Sequence, residues 1–458
     1  MMRTLLAAVA ALGLLPGLLL AQEAVPSLGT AIQAVDAEPT KRPNIIVILA
    51  DDQGWNDIGY HNPQLQTPHL DRLAAEGVRL EQYYVYATCS PTRVALLSGR
   101  YPSRYGVLAP LGETTHMPGA AAHLPRGLQA AGYQTHLVGK WHIGESSQHR
   151  PLGYGFDTTY GYLRGQIDPY THRYKSGDHV TWHRNDQFIE EQGHVTDLIT
   201  DEAIRVIESS DDTPFFLYVA HHAPHAPLNE PPSWIARYEE TFEDVWRRHF
   251  AAAITHLDNG VGRLVDALER SGKRQNTLIL YSSDNGGQRD WSAPATEYNG
   301  RYAAHRSLGN NEPLRGWKGE LYEGGIRVPA FVNWPGVLDG GRIVAAPIHA
   351  TDWAATLLTL AGAPLLDEHR LEGVNVWPLL RGSADPPVSR TLYWRSPNQF
   401  AVRDGDWKLI TDRLQRKLEL FHLAEDPYEQ NDLATQQPQR VQTLVHLLEQ
   451  YRAGDRPN

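Results

Sequence analysis

Four short, predominantly apolar runs punctuate the chain, at residues 44–50, 134–138, 215–220 and 277–281. They lack the strict alternation of a strand with one wet face, so each is expected as a strand buried on both faces of a parallel sheet. Helical periodicity falls between them, at 70–76, 124–131, 197–209 and 250–271. Strand and helix in alternation predict an α/β domain with right-handed crossovers. The pattern changes after about residue 371. Short candidate strands at 390–394, 399–403, 407–410 and 418–423, with a turn signal at Asp404-Gly405, precede an amphipathic stretch at 440–451. These predict a small antiparallel sheet carrying one helix.

Polar residues fall where the apolar runs stop. The four runs lead into Asp51-Asp52, into Gly139-Lys140-Trp141-His142, into His221-His222-Ala223-Pro224-His225, and into Asp284-Asn285-Gly286-Gly287. In open α/β sheets ligands bind at the C-terminal edge of the strands, so four such endings predict one active-site rim. Asp51, Asp52, Asp284 and Asn285 offer oxygen ligands, the set that selects a hard cation such as calcium or magnesium. Three carboxylates grouped without a cation would repel. Taken singly, Asp51-Asp52 also suits a cap and 284–287 a tight turn.

Composition narrows the class. A chain of 458 residues suits one large domain plus an appendage. A net charge of −11 argues against a nucleic-acid partner, and an anionic substrate must then be drawn by a local cationic pocket. Residues 1–21 have a basic start at Arg3 and an apolar run at 5–20, the anatomy of a secretory signal peptide rather than a span of ~20 residues. Residues 22–42 read as a linker. The single cysteine, Cys89, admits no intrachain disulfide. In an exported chain a lone thiol needs an explanation, the ordinary one being burial as a small hydrophobe. Pro91 follows two residues on and Arg93 four. A helix beginning near Ser90 places residue 89 at its positive end, with Arg93 one turn further.

The stretch from Cys89 to Arg100 resembles the C-x-P-x-R signature and the following leucine, serine, glycine and arginine of the type I sulfatases, within the alkaline phosphatase superfamily. Pro43 to Gly54 is similar to the opening metal segment of that family, Asp284 to Gly287 to its second metal segment, and Gly139 to Gly144 to its G-K-W-H-x-G segment. His225 within Ala223 to Pro227 matches a third segment, and Arg315 to Lys318 followed by Glu323 to Arg327 a fourth. The resemblance runs from about Pro43 to the tail at Asp426-Pro427 and 431–434. Gly155-Phe156-Asp157, Gly161-Tyr162-Leu163 and residues 314–323 liken it most to the arylsulfatase B, or N-acetylgalactosamine-4-sulfatase, group.

The resemblance implies a large mixed, mostly parallel sheet sandwiched by helices in a catalytic domain (43–375), with an antiparallel sheet and helix in a C-terminal subdomain (376–458). It implies a sulfuric ester hydrolase in which a formylglycine-generating or sulfatase-maturing partner oxidises Cys89 to formylglycine, whose hydrate is the nucleophile. The metal, Ca2+ ahead of Mg2+, falls to Asp51, Asp52, residue 89, Asp284 and Asn285. Arg93 orients the nucleophile, Lys140 and Lys318 hold sulfuryl oxygens, His225 is the general acid and His142 the base. A sulfated poly- or oligosaccharide follows as substrate, with no membrane attachment after signal cleavage, in the periplasm or outside the cell. Asp168, Tyr170, His172, Trp291, His305 and Arg306, in loop-like stretches, are candidates for sugar recognition, whereas His221 and His222 read as neighbours only. The competing readings are a phosphonate monoester or phosphodiester hydrolase of the same superfamily, and a non-catalytic glycan-binding homologue that never converts Cys89.

Overall fold

A computed structural model describes residues 41–175, 179–365, 369–385 and 390–456. The expected signal segment and nearly all of the expected linker lie outside the described residues. Ten strands make the main sheet. In chain order they are β1 (Asn44–Ala50), β2 (Val78–Leu80), β3 (Gln134–Lys140), β4 (Thr158–Tyr162), β5 (Trp182–Arg184), β6 (Gln187–Phe188), β7 (Phe215–Ala220), β8 (Thr277–Ser283), β9 (Ala330–Asn333) and β10 (Arg342–Val344). Their spatial order is β10-β2-β9-β8-β1-β7-β3-β4-β5-β6. The five central strands, β8 through β4, are parallel. Antiparallel pairing of β9 and β5 flanks them.

Burial on both faces explains the unbroken apolar runs. Ile45, Val47 and Leu49 of β1 enter one core, and Ile46, Ile48 and Ala50 the other. Helices α1 (Pro68–Ala75), α2 (Cys89–Ser98), α3 (His123–Ala130), α4 (Val195–Ser209), α5 (Val245–Arg270) and α6 (Asp352–Leu360) divide between these layers. Val94 and Leu97 of α2, Leu124 of α3 and Leu357 of α6 share the core of Ile45. Leu70 of α1, Ile199 of α4 and Leu257 of α5 share that of Ile46. Asp244 starts α5 by accepting the N–H groups of Trp246 and Arg247, both at 2.9 Å.

Register brings the strand ends together. Leu49 lies opposite Ala220 and Ser282, and Ala220 opposite Gly139. The residues after β1, β3, β7 and β8 therefore emerge on one rim.

The later strands β11 (Thr391–Arg395), β12 (Gln399–Asp404), β13 (Trp407–Asp412) and β14 (Leu418–His422) form an antiparallel meander. Gly405, at φ +58°, turns β12 into β13. Helix α7 (Pro438–Arg452) packs on it through Val441, Leu444 and Leu448. This smaller sheet is tied to the main body, where the Trp394 indole N–H donates to the Val85 carbonyl at 2.9 Å. No helix among the described residues is long and apolar enough to cross a membrane.

Candidate active site

Cys89 is the first residue of α2, buried at the helix N-terminus and preceded by Thr88 in extended conformation, whose side chain makes no capping bond. Burial pushes its thiol up to about 12, against the pull of Lys140 and Lys318. Such a group is a thiol at neutral pH, not the thiolate a cysteine nucleophile requires.

Three carboxylates and three cations surround it. Arg93, fully buried, places Nη2 2.6 Å from Asp284 Oδ2 and 3.9 Å from Asp51 Oδ2, and Nη1 donates to the Lys140 carbonyl at 3.2 Å. Lys140 Nζ lies 2.5 Å from Asp51 Oδ2. Lys318 Nζ lies 2.6 Å from Asp52 Oδ1 and donates to Oδ2 at 2.8 Å. The repulsion anticipated among Asp51, Asp52 and Asp284 is thus offset within the chain itself. Burial would raise the Asp52 carboxyl, but Lys318 and then His225 hold it well below the usual carboxylate range. Asp284 goes the other way, pushed up to about 6 by burial and by Asp51 despite Arg93 and Lys140.

Unsatisfied oxygens supply the argument for a metal. Asp51 Oδ1 and Asn285 Oδ1 are buried and have no hydrogen-bond partner. The Asn285 amide nitrogen donates to Asp52 Oδ1 at 2.8 Å and to the Gly286 carbonyl at 2.9 Å, which fixes the orientation of its oxygen. Donor atoms of Asp51, Asp52, Cys89 and His225 lie within 4.8 Å of one another. Orphaned buried acceptors among anionic oxygens fit a hard divalent cation. Asp52 is also held in the left-handed region at φ +66°, the kind of strain that collects at functional sites.

His142 and His225 face the same cleft. The His225 Nδ1–H donates to the Ala226 carbonyl, leaving Nε2 3.6 Å from Asp52 Oδ2. Burial pushes His225 down to about 3, with Asp52 opposing. Burial, then Lys140 and Arg93, keep His142 well below its ordinary value, and its Nδ1 has no partner. His142 sits at φ +58°, and its carbonyl accepts from Ser90 Oγ at 2.8 Å, tying it to α2.

The cleft above Cys89 has a volume of about 380 Å³. Of the six residues expected to meet sugar, Trp291 lines it. Asp168 sits in an adjoining hollow that shares Lys175 with the cleft; it accepts the backbone N–H groups of Tyr170 (3.0 Å) and Thr171 (2.8 Å), the Arg301 guanidinium and the Tyr302 hydroxyl. His172 is stacked on Trp182 at 4.6 Å, and His305 on Trp246 at 3.8 Å, both buried. Tyr170 is partly exposed against the edge of His194, and Arg306 is exposed. The structure brings Arg164, Gln166, Tyr174, Lys175 and Gln288 to the cleft wall instead. No motif marked them. Their one sequence signal is position in the stretches that follow β4 and β8, Tyr174 lying in a short strand where it pairs with His179.

Comparison with known proteins identifies the family. The Sulfatase family profile matches residues 43–363, and the profile for the C-terminal part of N-sulphoglucosamine sulphohydrolase matches 316–453. Arylsulfatase J of Mus musculus is 32% identical over 93% of this chain and 77% of its own length. N-acetylgalactosamine-6-sulfatase of Homo sapiens is 31% identical over 80% of this chain and 71% of its own. The crystal structure of Ps i-CgsB in complex with k-i-k-neocarrahexaose superposes with a TM-score of 0.81 at 30% identity, covering 91% of this chain and 94% of that one.

Proposed function

The chain belongs to the sulfatase family, and on that premise we propose which residues cleave the sulfuric ester and what kind of ester enters the cleft. The observation that carries the reading is the buried Cys89 at the N-terminus of α2, surrounded by unsatisfied oxygen acceptors and three cations. When Cys89 is matured to hydrated formylglycine and a divalent cation is bound, these groups supply the attacking hydroxyl and the charge that activates it. Asp51, Asp52, residue 89, Asp284 and Asn285 would hold the cation, which we take to be calcium; donor atoms of Asp51, Asp52 and Cys89 already lie within 4.8 Å of one another.

The other residues divide the work. Arg93, locked between Asp284 and the Lys140 carbonyl, orients the nucleophile at the helix N-terminus. Lys318 opens on the cleft and grips a sulfuryl oxygen; Lys140, expected to do the same, is fully buried against Asp51 and does not line the cleft, so it neutralises the floor from beneath. His225, oriented by its Nδ1–H bond, takes a proton on Nε2 when the anionic ester lies beside it, and delivers it to the departing sugar oxygen. His142, kept neutral by burial and by neighbouring cations, is the base that restores residue 89.

The wall combines the aromatic Trp291 and Tyr174 with Gln166, Arg164 and Lys175, the last two already paired to Glu113 and Glu145 and to Glu297, and we take the substrate to be a sulfated oligo- or polysaccharide. Residues 43–375 form the catalytic domain and 376–458 the C-terminal subdomain. Residues 1–21 direct export, to the periplasm or beyond. The likeness to the arylsulfatase B group, together with the relatives above, sets the first panel: 4- and 6-sulfated galactose-type sugars and neocarrageenan oligosaccharides. The deciding experiment is peptide mass spectrometry across Cys89 after co-production with a maturation enzyme, followed by that panel. A peptide lighter by the exchange of one sulfur and two hydrogens for one oxygen, with sulfate release, supports the reading. Unmodified thiol despite a competent maturation enzyme would overturn it and favour the glycan-binding alternative.

A further inference from the structure

Lys318 and the Gly286-Gly287 segment are held by one compact knuckle, residues 315–325. The Lys318 N–H donates to the Gly287 carbonyl at 3.1 Å, Gly286 N–H to the Gly325 carbonyl at 3.1 Å, and Gly319 N–H to the Ala87 carbonyl at 2.7 Å, two residues before Cys89. Gly324 N–H closes the knuckle on the Arg315 carbonyl at 2.7 Å. The knuckle thus touches all three parts of the site: the second metal segment, the run into the nucleophile, and its own lysine.

A fully buried charge cluster beneath it fixes its position. Lys408 Nζ, from β13 of the C-terminal sheet, lies 2.8 Å from Glu323 Oε1 and 2.8 Å from Glu429 Oε1, all three side chains being fully buried. Glu429 Oε2 accepts the Glu323 backbone N–H at 2.6 Å, and the Glu429 carbonyl accepts from Arg315 at 2.9 Å. The other oxygen of Glu323 accepts from the Tyr84 hydroxyl at 2.6 Å, which in turn takes a hydrogen bond from Arg403 at 2.6 Å. Glu429 is held at φ +54°, a conformation that only a firmly determined surrounding sustains in a non-glycine residue. Loss of the Lys408 ammonium would leave Glu323 to Arg327, 3.7 Å away, and take from Glu429 the cation that faces it.

We propose that Lys408 is a positioning residue: by clamping Glu323 to Glu429 it couples the C-terminal sheet to the knuckle and sets where Lys318 stands over the nucleophile. The inference rests on the reading of Lys318 as the sulfate-gripping group. It gives the C-terminal sheet a part in turnover although none of its residues lines the cleft.

The test compares Lys408→Met, Lys318→Met, Lys408→Met/Glu429→Gln and Leu409→Ala in the matured, metal-loaded full chain. Leu409 is a buried neighbour in β13 and controls for loss of stability. The readouts are KM and kcat with an aryl sulfate, the inhibition constant of inorganic sulfate, and the melting temperature. Misplacing a binding group by about 1 Å costs up to ~100-fold. Lys408→Met is therefore expected to weaken sulfate inhibition and raise KM by ~10-fold or more, with the double variant recovering part of the loss by removing one of the opposed charges. Leu409→Ala is expected to lower the melting temperature and leave the sulfate constant in place. A wild-type sulfate constant in Lys408→Met, or an equal shift in Leu409→Ala, overturns the inference. Should Lys408→Met not fold, the double variant decides, and an unchanged sulfate constant there overturns it too. If Lys318→Met leaves sulfate inhibition unchanged, the role of Lys318 fails; if it weakens binding while Lys408→Met does not, the positioning inference fails alone.

Discussion

At the scale of the residue, burial decides chemistry. With no cation bound, burial pushes the Cys89 thiol up to about 12, so the unconverted side chain is a thiol and not a thiolate. Cys89→Ser and Cys89→Ala should abolish turnover, since neither side chain can form a hydrated aldehyde, while the circular dichroism melt stays at the wild-type value. Normal turnover in either would remove residue 89 from the reaction. His256 offers a separate readout. Burial lowers it, but hydrogen bonds and charge from Asp197 and Glu230 outweigh that and raise it to about 9. A raised folded-state value stabilises fully below the ordinary pH of ~6.5 and is lost as pH climbs through about 9. The shift corresponds to ~3 kcal/mol. Urea midpoints at pH 6.5 and 9.5 should fall with pH more steeply in the wild type than in His256→Gln; parallel behaviour would show that the Asp197–His256–Glu230 chain contributes nothing. The rim residues were legible because each sits beside a strand end within a local motif. The residues lining the cleft wall were not, because distant partners decide where a loop side chain points. His305 is withdrawn from the cleft by Trp246, on a helix 59 residues earlier.

At the scale of the element, the central strands with apolar runs, α1, α3, α4, α5 and the C-terminal meander were readable from periodicity alone. β2, β4, β5, β6, β9, β10 and α6 were passed over. β4 reads Thr-Thr-Tyr-Gly-Tyr, and its burial depends on β3 and β5 alongside rather than on apolar content. The same non-local logic governs the contact between the metal segment and the knuckle. A Cβ on Gly286 would lie 1.8 Å from the Gly324 carbonyl oxygen, backbone against backbone with no flexible side chain to yield. Gly286→Ala must push the two segments apart, at ~1–3 kcal/mol for an overpacked site. It is expected to lower both the melting temperature and the metal affinity, because Asn285 is the preceding residue. Calorimetric titration of the metal into the chelated variant checks this, and unchanged affinity would mean that the segments move independently.

At the scale of the molecule, the charge balance of the site stands against that of the chain. Asp51, Asp52 and Asp284 are matched by Arg93, Lys140 and Lys318, so the protein groups at the floor of the cleft sum to about zero, inside a chain of net charge −11. The chain as a whole thus repels a polyanionic sugar, and the local attraction rises by two charges when a divalent cation is held. Because the internal pairs neutralise the carboxylates, removing the metal should not unfold the protein. Treatment with a chelator is expected to abolish hydrolysis and weaken inhibition by inorganic sulfate, with far-UV circular dichroism retained. The melting temperature should drop by a few degrees, as linkage requires when a ligand of the native state is withdrawn. Adding calcium back should restore all three, and comparing it with magnesium at matched concentration identifies the cation the site prefers. Collapse of the fold on chelation would show that the ion pairs do not sustain the site by themselves. Full activity after exhaustive chelation would show that Asp51 Oδ1 and Asn285 Oδ1 await something other than a metal.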